Sequence, residues 1–206
     1  MSEEKKELDE QTKKEKSRLL WSLLACYTIS QTSYLNVYAL LPLYMEQHFN
    51  FSNMSVGLLL ASYQVSFTLS APFIGTFLSK IGRRQAIQIG LIVMSFATVM
   101  FAASSFMVRP ELFFGVSLMA RMIQGIADGL ICVTIPSVIG NEFPNKTEIY
   151  MGYLEAAMGL GLTLGPVICS FVYTYLGYAG TYFFFAIFLL TFGLITTCFI
   201  PARLDQ

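Results

Sequence analysis

Arg121, Gln124 and Asp128 stand in the segment "RMIQGIADG" (121–129), between the apolar runs "LFFGVSLMA" and "LICVTIPSVIG". A base, an amide and an acid at these spacings share one face of a helix. Such a set can hold a polar solute, exchange a proton, or form a buried network of purely structural use. Glu155, in "GYLEAAMGLGLTLGP", is another acid in an apolar setting, a quarter-turn or more away from the face of Gly161 and Gly165. No residues carry the spacing of a metal site, a nucleotide loop or a nucleophile–base set, so no metal, no cofactor and no enzymatic reaction are expected. Cys26, Cys132, Cys169 and Cys198 all fall in apolar runs and read as small buried hydrophobes.

The elements that position these charges are lipid-facing helices. The chain is 55% hydrophobic and 13% charged, against about 25% charged in soluble domains. Residues 1–18 hold twelve of the 26 charged side chains, six of each sign. The formal net charge is zero, which leaves no basic face for nucleic acid. Six apolar runs, at 19–44, 55–79, 85–107, 112–139, 150–175 and 181–200, predict an all-α integral membrane fold with six transmembrane helices. Residues 1–18 read as a charged cytosolic tail, disordered or frayed-helical, and 201–206 as a cytosolic stub. With the tail inside, the inner segments carry eleven Lys and Arg and the outer loops only Arg109. This positive-inside pattern puts both termini in the cytosol of a multi-pass protein, in a plasma or a vesicle membrane. Each intramembrane charge then costs at least ~2.5–3.5 kcal/mol and needs a partner or a water-filled cavity.

The end of the second run, "APFIGTFLSKIG" (71–82), is echoed by the end of the fifth, "GPVICSFVYTYLG" (165–177). Pro72 matches Pro166, Ile74 matches Ile168, Phe77 matches Phe171 and, after one inserted residue, Gly82 matches Gly177. The two copies cross the membrane in opposite directions. That predicts two inverted three-helix repeats, an architecture of transporters. The turn "GTFLSKIGRR" (75–84) places Gly75 and Gly82 where helix ends approach, and Arg83 and Arg84 where they reach headgroups or acidic groups.

Taken together, these segments resemble the major facilitator superfamily. The family's turn between spans 2 and 3, G-x-L-A-D-R-x-G-R-K/R, is matched by Gly75, Phe77, Lys80, Gly82, Arg83 and Arg84, with Ser79 in place of the aspartate. Its span-4 pattern R-x-x-Q-G is present as Arg121, Gln124 and Gly125. The antiporter pattern of span 5 is present as Gly152, Gly161, Gly165 and Pro166, with Cys169 and Ser170 replacing its last two glycines. "LEAAMGLGLTLGP" is most similar to the drug:proton antiporter and vesicular amine branch.

The resemblance implies that 19–200 is the N-terminal half of a twelve-helix fold. It implies proton antiport of a small organic solute, cationic or amphipathic, by alternating access. The partners would be the bilayer, the solute, protons and a second six-helix bundle, either another copy or a separate half. It also implies a cytosolic gating cluster in which Glu142 of "GNEFP" can pair with Arg83, weakened by Ser79. Gly161 and Gly165 would pack on the opposite bundle or within this one. The related branch has an aspartate in span 1, where this chain has only Ser30 and Gln31, so any carboxylate role moves to Asp128 and Glu155. Tyr27, Gln31, Tyr34 and Tyr38 form a stripe that lines a cavity for an organic cation or serves as an aromatic packing seam. The alternative function is a transport-inactive six-helix half that scaffolds or regulates another membrane protein.

Overall fold

A computed structural model describes residues 2–201 and 204, with side chains described except at 2–10, 12 and 79. Among the described residues there is no strand. The helices are α1 (Ser2–Phe49), α2 (Asn53–Ile81), α3 (Arg83–Ser104), α4 (Pro110–Glu142), a 3-10 turn Pro144–Lys146, and a run Thr147–Cys198. Gly177, at φ 64° and ψ −169°, breaks that run into α5 (147–176) and α6 (178–198).

Local chemistry sets these ends. Ser52 caps α2 by accepting the Ser55 N–H at 3.3 Å. Pro110 opens α4, where its missing N–H costs nothing. Pro42, Pro72, Pro136 and Pro166 lie inside continuous helices, a tolerance expected where neighbouring helices re-satisfy the freed carbonyls. The charged tail, expected to be disordered or frayed-helical, has helical backbone: α1 runs without interruption from Ser2. Its Lys, Glu and Gln are good helix formers and no glycine or proline precedes Pro42. The expected gap between the fifth and sixth runs also shrinks to a single residue, Gly177.

The matched glycines do the same work in both copies. Gly82 joins α2 to α3 at φ 87°, and Gly177 joins α5 to α6 at φ 64°. Both lie in the left-handed half of backbone space that side chains resist. The helix pairings carry the same symmetry. α4 packs mainly on α2 and α3, whereas α1 packs mainly on the α5–α6 run, and α3 meets that run from the other side. On α6, Thr196 Oγ1 lies 2.9 Å from Cys26 Sγ of α1, and the Ala186 carbonyl accepts from Ser95 Oγ of α3 at 2.8 Å. Exchanging the two three-helix units maps one set of contacts onto the other. Gly177→Ala is expected to destabilise the bundle by about 1–3 kcal/mol through backbone strain alone, since nothing lies within 4 Å of the added Cβ. Thermal unfolding in detergent checks this.

Two apolar clusters fill the bundle. One gathers Leu23, Ile87, Leu91, Ile131 and Leu189; the other gathers Leu41, Met45, Phe101, Phe113 and Tyr182. Between them α1 contributes the buried polar residues Ser30 to Ser33 and Asn36, while α4 contributes Arg121 and Gln124. Among the described residues, four stretches are long and apolar enough to cross a membrane: Asn53–Leu78, Arg83–Ser104, Pro110–Glu142 and Pro144–Cys198, the last divided by Gly177. α1 falls short of that measure because "TISQTS" and Asn36 interrupt its apolar run; of these, Ser30 and Gln31 meet α4, whereas Thr28, Thr32 and Asn36 lie against α5. Large apolar side chains such as Trp21, Leu69, Phe73, Val167 and Phe171 are exposed, as on an all-α fold solvated by lipid.

Candidate functional site

α4 carries the charges, and the helices around it determine what they meet. Asp128 is buried, with 2% of its surface exposed. Ser30 Oγ donates to its Oδ1, Tyr63 OH donates to Oδ2 at 2.5 Å, and Gln31 Nε2 is 3.4 Å from each oxygen. All three donors are neutral. Arg121, fully buried, donates from Nη1 to Gln124 Oε1 at 2.9 Å. Its guanidinium carbon sits 4.8 Å from the ring centroids of Tyr38 and Tyr63 and 5.9 Å from that of Tyr34. A desolvated cation–π contact is worth about 2 kcal/mol or more, so three ring faces offset much of the cost of burying this cation. Arg121 Nε and Nη2 and Gln124 Nε2 find no protein partner, leaving donor capacity in the middle of the bundle.

Arg121 and Asp128 therefore do not pair. Seven residues of helix separate them by ~10 Å along the axis, and Tyr63 bridges the gap, its ring beneath the arginine and its hydroxyl on the acid. Tyr34 completes the layer: its hydroxyl donates to Tyr38 at 3.1 Å and its ring lies 4.6 Å from that of Tyr63. Tyr34 and Tyr38 of the α1 stripe thus face the protein's own cation, while Gln31 turns to Asp128 and Tyr27 to Met158.

Gly125 explains how Tyr63 reaches this position. A Cβ there would collide with the Tyr63 carbonyl and Ser66 Oγ, and one at Gly129 would come 3.1 Å from Ser70 Oγ. The α2 backbone consequently lies directly on α4 at the level of the charges. Gly161 and Gly165 do the same for α1, because Cβ atoms there would be 2.6 Å from the Thr28 carbonyl and 2.8 Å from the Thr32 carbonyl. The ridge packs against α1 within the bundle, and it holds the segment that offers Ser30 and Gln31 to Asp128.

Several expected members lie apart. Glu155 is exposed on α5 and is not brought to Arg121 or Asp128. Gly152 and Gly75 have nothing within 4 Å of an added Cβ, so neither mediates a close approach. α5 continues through Pro166 without a break. Cys198 is exposed and Cys132 half-buried, so only Cys26 and Cys169 are the buried hydrophobes expected. At the basic turn, Lys80 Nζ lies 5.8 Å from the Phe77 ring centroid, and Arg83 and Arg84 are half-buried. The Ser79 side chain lies outside the described residues. The Glu142 backbone carbonyl accepts from Lys16 Nζ at 3.3 Å. Gly152→Ala is expected to change stability by less than about 0.5 kcal/mol, whereas Gly161→Ala should cost about 1–3 kcal/mol. Paired thermal melts separate the two.

Sequence reasoning missed Tyr63. Its signal was the cluster "SYQVS" (62–66) inside an otherwise apolar span, where Ser62, Gln64 and Ser66 flank the tyrosine.

The fold and the site define a class: an all-α, multi-pass membrane bundle of the secondary-transporter kind, built from inverted repeats around a buried polar layer. Residues 23–205 match the Major Facilitator Superfamily model, and the chain belongs to that family of transporters. It is similar to Quinolone resistance protein NorA of Staphylococcus aureus (strain MRSA252), at 30% identity over 137 residues, covering 66% of this chain and 33% of that protein. It is also similar to the MFS-type transporter SLC18B1 of Homo sapiens, at 25% identity over 127 residues, covering 62% of this chain and 28% of that protein. The matched stretches thus span about a third of these relatives' length. The relatives are transporters, not enzymes, and the family acts on small solutes within a membrane.

Proposed function

We propose that this chain is one six-helix half of a proton-coupled antiporter for a small amphipathic or cationic organic solute. In this reading all six helices cross the bilayer with both termini cytosolic, as the eleven-to-one bias of Lys and Arg supports. A second six-helix bundle, a copy or a separate half, closes the other side of the buried layer. Rocking of one bundle against the other exposes that layer to each side of the membrane in turn. Arg83, Arg84 and Glu142 gate the cytosolic end. A drug-like solute is supported by the similarity to a protein named for quinolone resistance.

The observation that carries the proposal is the environment of Asp128: a buried acid held by Ser30, Gln31 and Tyr63, with no cation bonded to it among the described residues. An acid held only by neutral donors exchanges a proton for a solute cation without breaking an ion pair. Arg121, seated on its rings, supplies the fixed positive charge that keeps the two ligands from occupying the layer together. Glu155, exposed on α5, serves the approach to the site and not the exchange.

The test is pH-gradient-driven uptake of tetraphenylphosphonium, a lipophilic aromatic cation, into proteoliposomes. Uptake that collapses with the gradient supports antiport. Absence of uptake, with the chain alone or co-reconstituted with a second half, refutes it and favours the scaffold. Tyr63→Phe keeps the ring under Arg121 but removes the bond to Asp128. It should lower stability by about 1.5–3 kcal/mol, the worth of a hydrogen bond to a charged group, and should alter the pH profile of uptake.

A further inference from the structure

We propose that a lysine-lined cavity at the α1/α4–α5 corner binds the phosphate-bearing headgroup of an anionic phospholipid. The cavity measures about 580 Å³, a volume suited to an organic headgroup. Lys13 and Lys16 reach it from α1 and Lys146 from the 3-10 turn, with Asn145 and Tyr150 as further polar walls and Glu142 as an acid. Among the described lining residues, three lysines stand against one glutamate, a cationic balance. Lys16 is already positioned: its ammonium donates to the Glu142 carbonyl at 3.3 Å and lies 5.9 Å from the Phe143 ring centroid. Two of its three protons remain available for an anion.

The location favours a lipid over a soluble anion. Leu20 and Phe143 line the same cavity and belong to the apolar cluster of the bundle, so the lysines sit where greasy helix surface begins. A headgroup seated among them leaves its acyl chains alongside the bundle. Juxtamembrane lysines each add about 1 kcal/mol of attraction to anionic lipid, or about five-fold in affinity. The site also bridges the helical extension of α1 and the α4–α5 joint, which Lys16 already links through the Glu142 carbonyl and the Phe143 ring. This inference rests on the proposed membrane placement of the helix ends but not on transport.

Trp21 is the sole tryptophan and lies one residue beyond the cavity wall at Leu20. Its quenching by brominated-chain lipids therefore reads occupancy of the full chain in detergent. Brominated phosphatidylinositol 4-phosphate should quench at far lower concentration than brominated phosphatidylcholine. The Lys13→Gln/Lys16→Gln/Lys146→Gln variant should need about a hundred-fold more anionic lipid, and Lys146→Gln alone, at an exposed residue, about five-fold more. Arg109→Gln, at the other end of the bundle, should match the unaltered protein. Equal quenching by the two lipids, or no change in the lysine variants, would overturn the proposal. So would displacement of the brominated lipid by an equal concentration of inorganic phosphate, which would mark a soluble-anion site. Loss of uptake with binding intact would count against the transport reading alone.

Discussion

Replacing Asp128 with asparagine is expected to abolish pH-gradient-driven uptake while leaving the bundle folded. Asparagine keeps the shape of the side chain and one acceptor oxygen. Its amide can donate to the hydroxyl of Ser30 or Tyr63, since each hydroxyl both donates and accepts. The network therefore survives, and only the exchangeable proton is lost. Asp128→Ala separates the two roles. It strands the Ser30, Tyr63 and Gln31 donors in a buried layer, and each unsatisfied group costs about 1–3 kcal/mol. The alanine variant should thus fail in both folding and transport, the asparagine variant in transport alone. Glu155→Gln, at an exposed position outside the network, should retain gradient-driven uptake at a reduced rate. Uptake measured beside a thermal melt for all three variants distinguishes these outcomes.

Gly125→Val should produce the largest loss of stability of any single change in the site. The added Cβ meets the Tyr63 carbonyl and Ser66 Oγ, one of them backbone that cannot rotate away. Overpacking against movable side chains costs about 1–3 kcal/mol, and here α2 as a whole must retreat from α4. That retreat pulls Tyr63 from both charges at once, removing the ring under Arg121 and the donor to Asp128. The variant is expected to melt well below the unaltered protein and to lose uptake even where it folds. Gly57→Ala, on the same α2 helix but with open space around it, should melt normally.

Much of this arrangement is legible in the chain before any coordinates. The spacing of Arg121, Gln124, Gly125 and Asp128 assigns them to one helix face, and all four are buried. The match of Gly82 to Gly177 anticipates two helix joints with the same unusual backbone. What could not be read are the contacts between helices distant in sequence. Ser30 and Gln31 read as a missing charge in span 1, yet they are the donors that hold the acid on α4, ninety-eight and ninety-seven residues away. Tyr34 and Tyr38 read as cation-binding rings, and they bind the cation of Arg121. Glu155 and Gly152 carry the same residue types as true members of the network and differ only in which side of α5 they occupy. A motif pattern records spacing along one helix, and exposure is decided by its neighbours.

The central claim is that Asp128 is the group that exchanges a proton for solute. Proton release on addition of tetraphenylphosphonium, followed with a pH-sensitive dye in weakly buffered detergent solution, tests it most directly. The expected result is release from the unaltered protein, with none from Asp128→Asn and near-normal release from Glu155→Gln. Equal release from the unaltered protein and Asp128→Asn would contradict it, as would solute binding to the unaltered protein with no proton released.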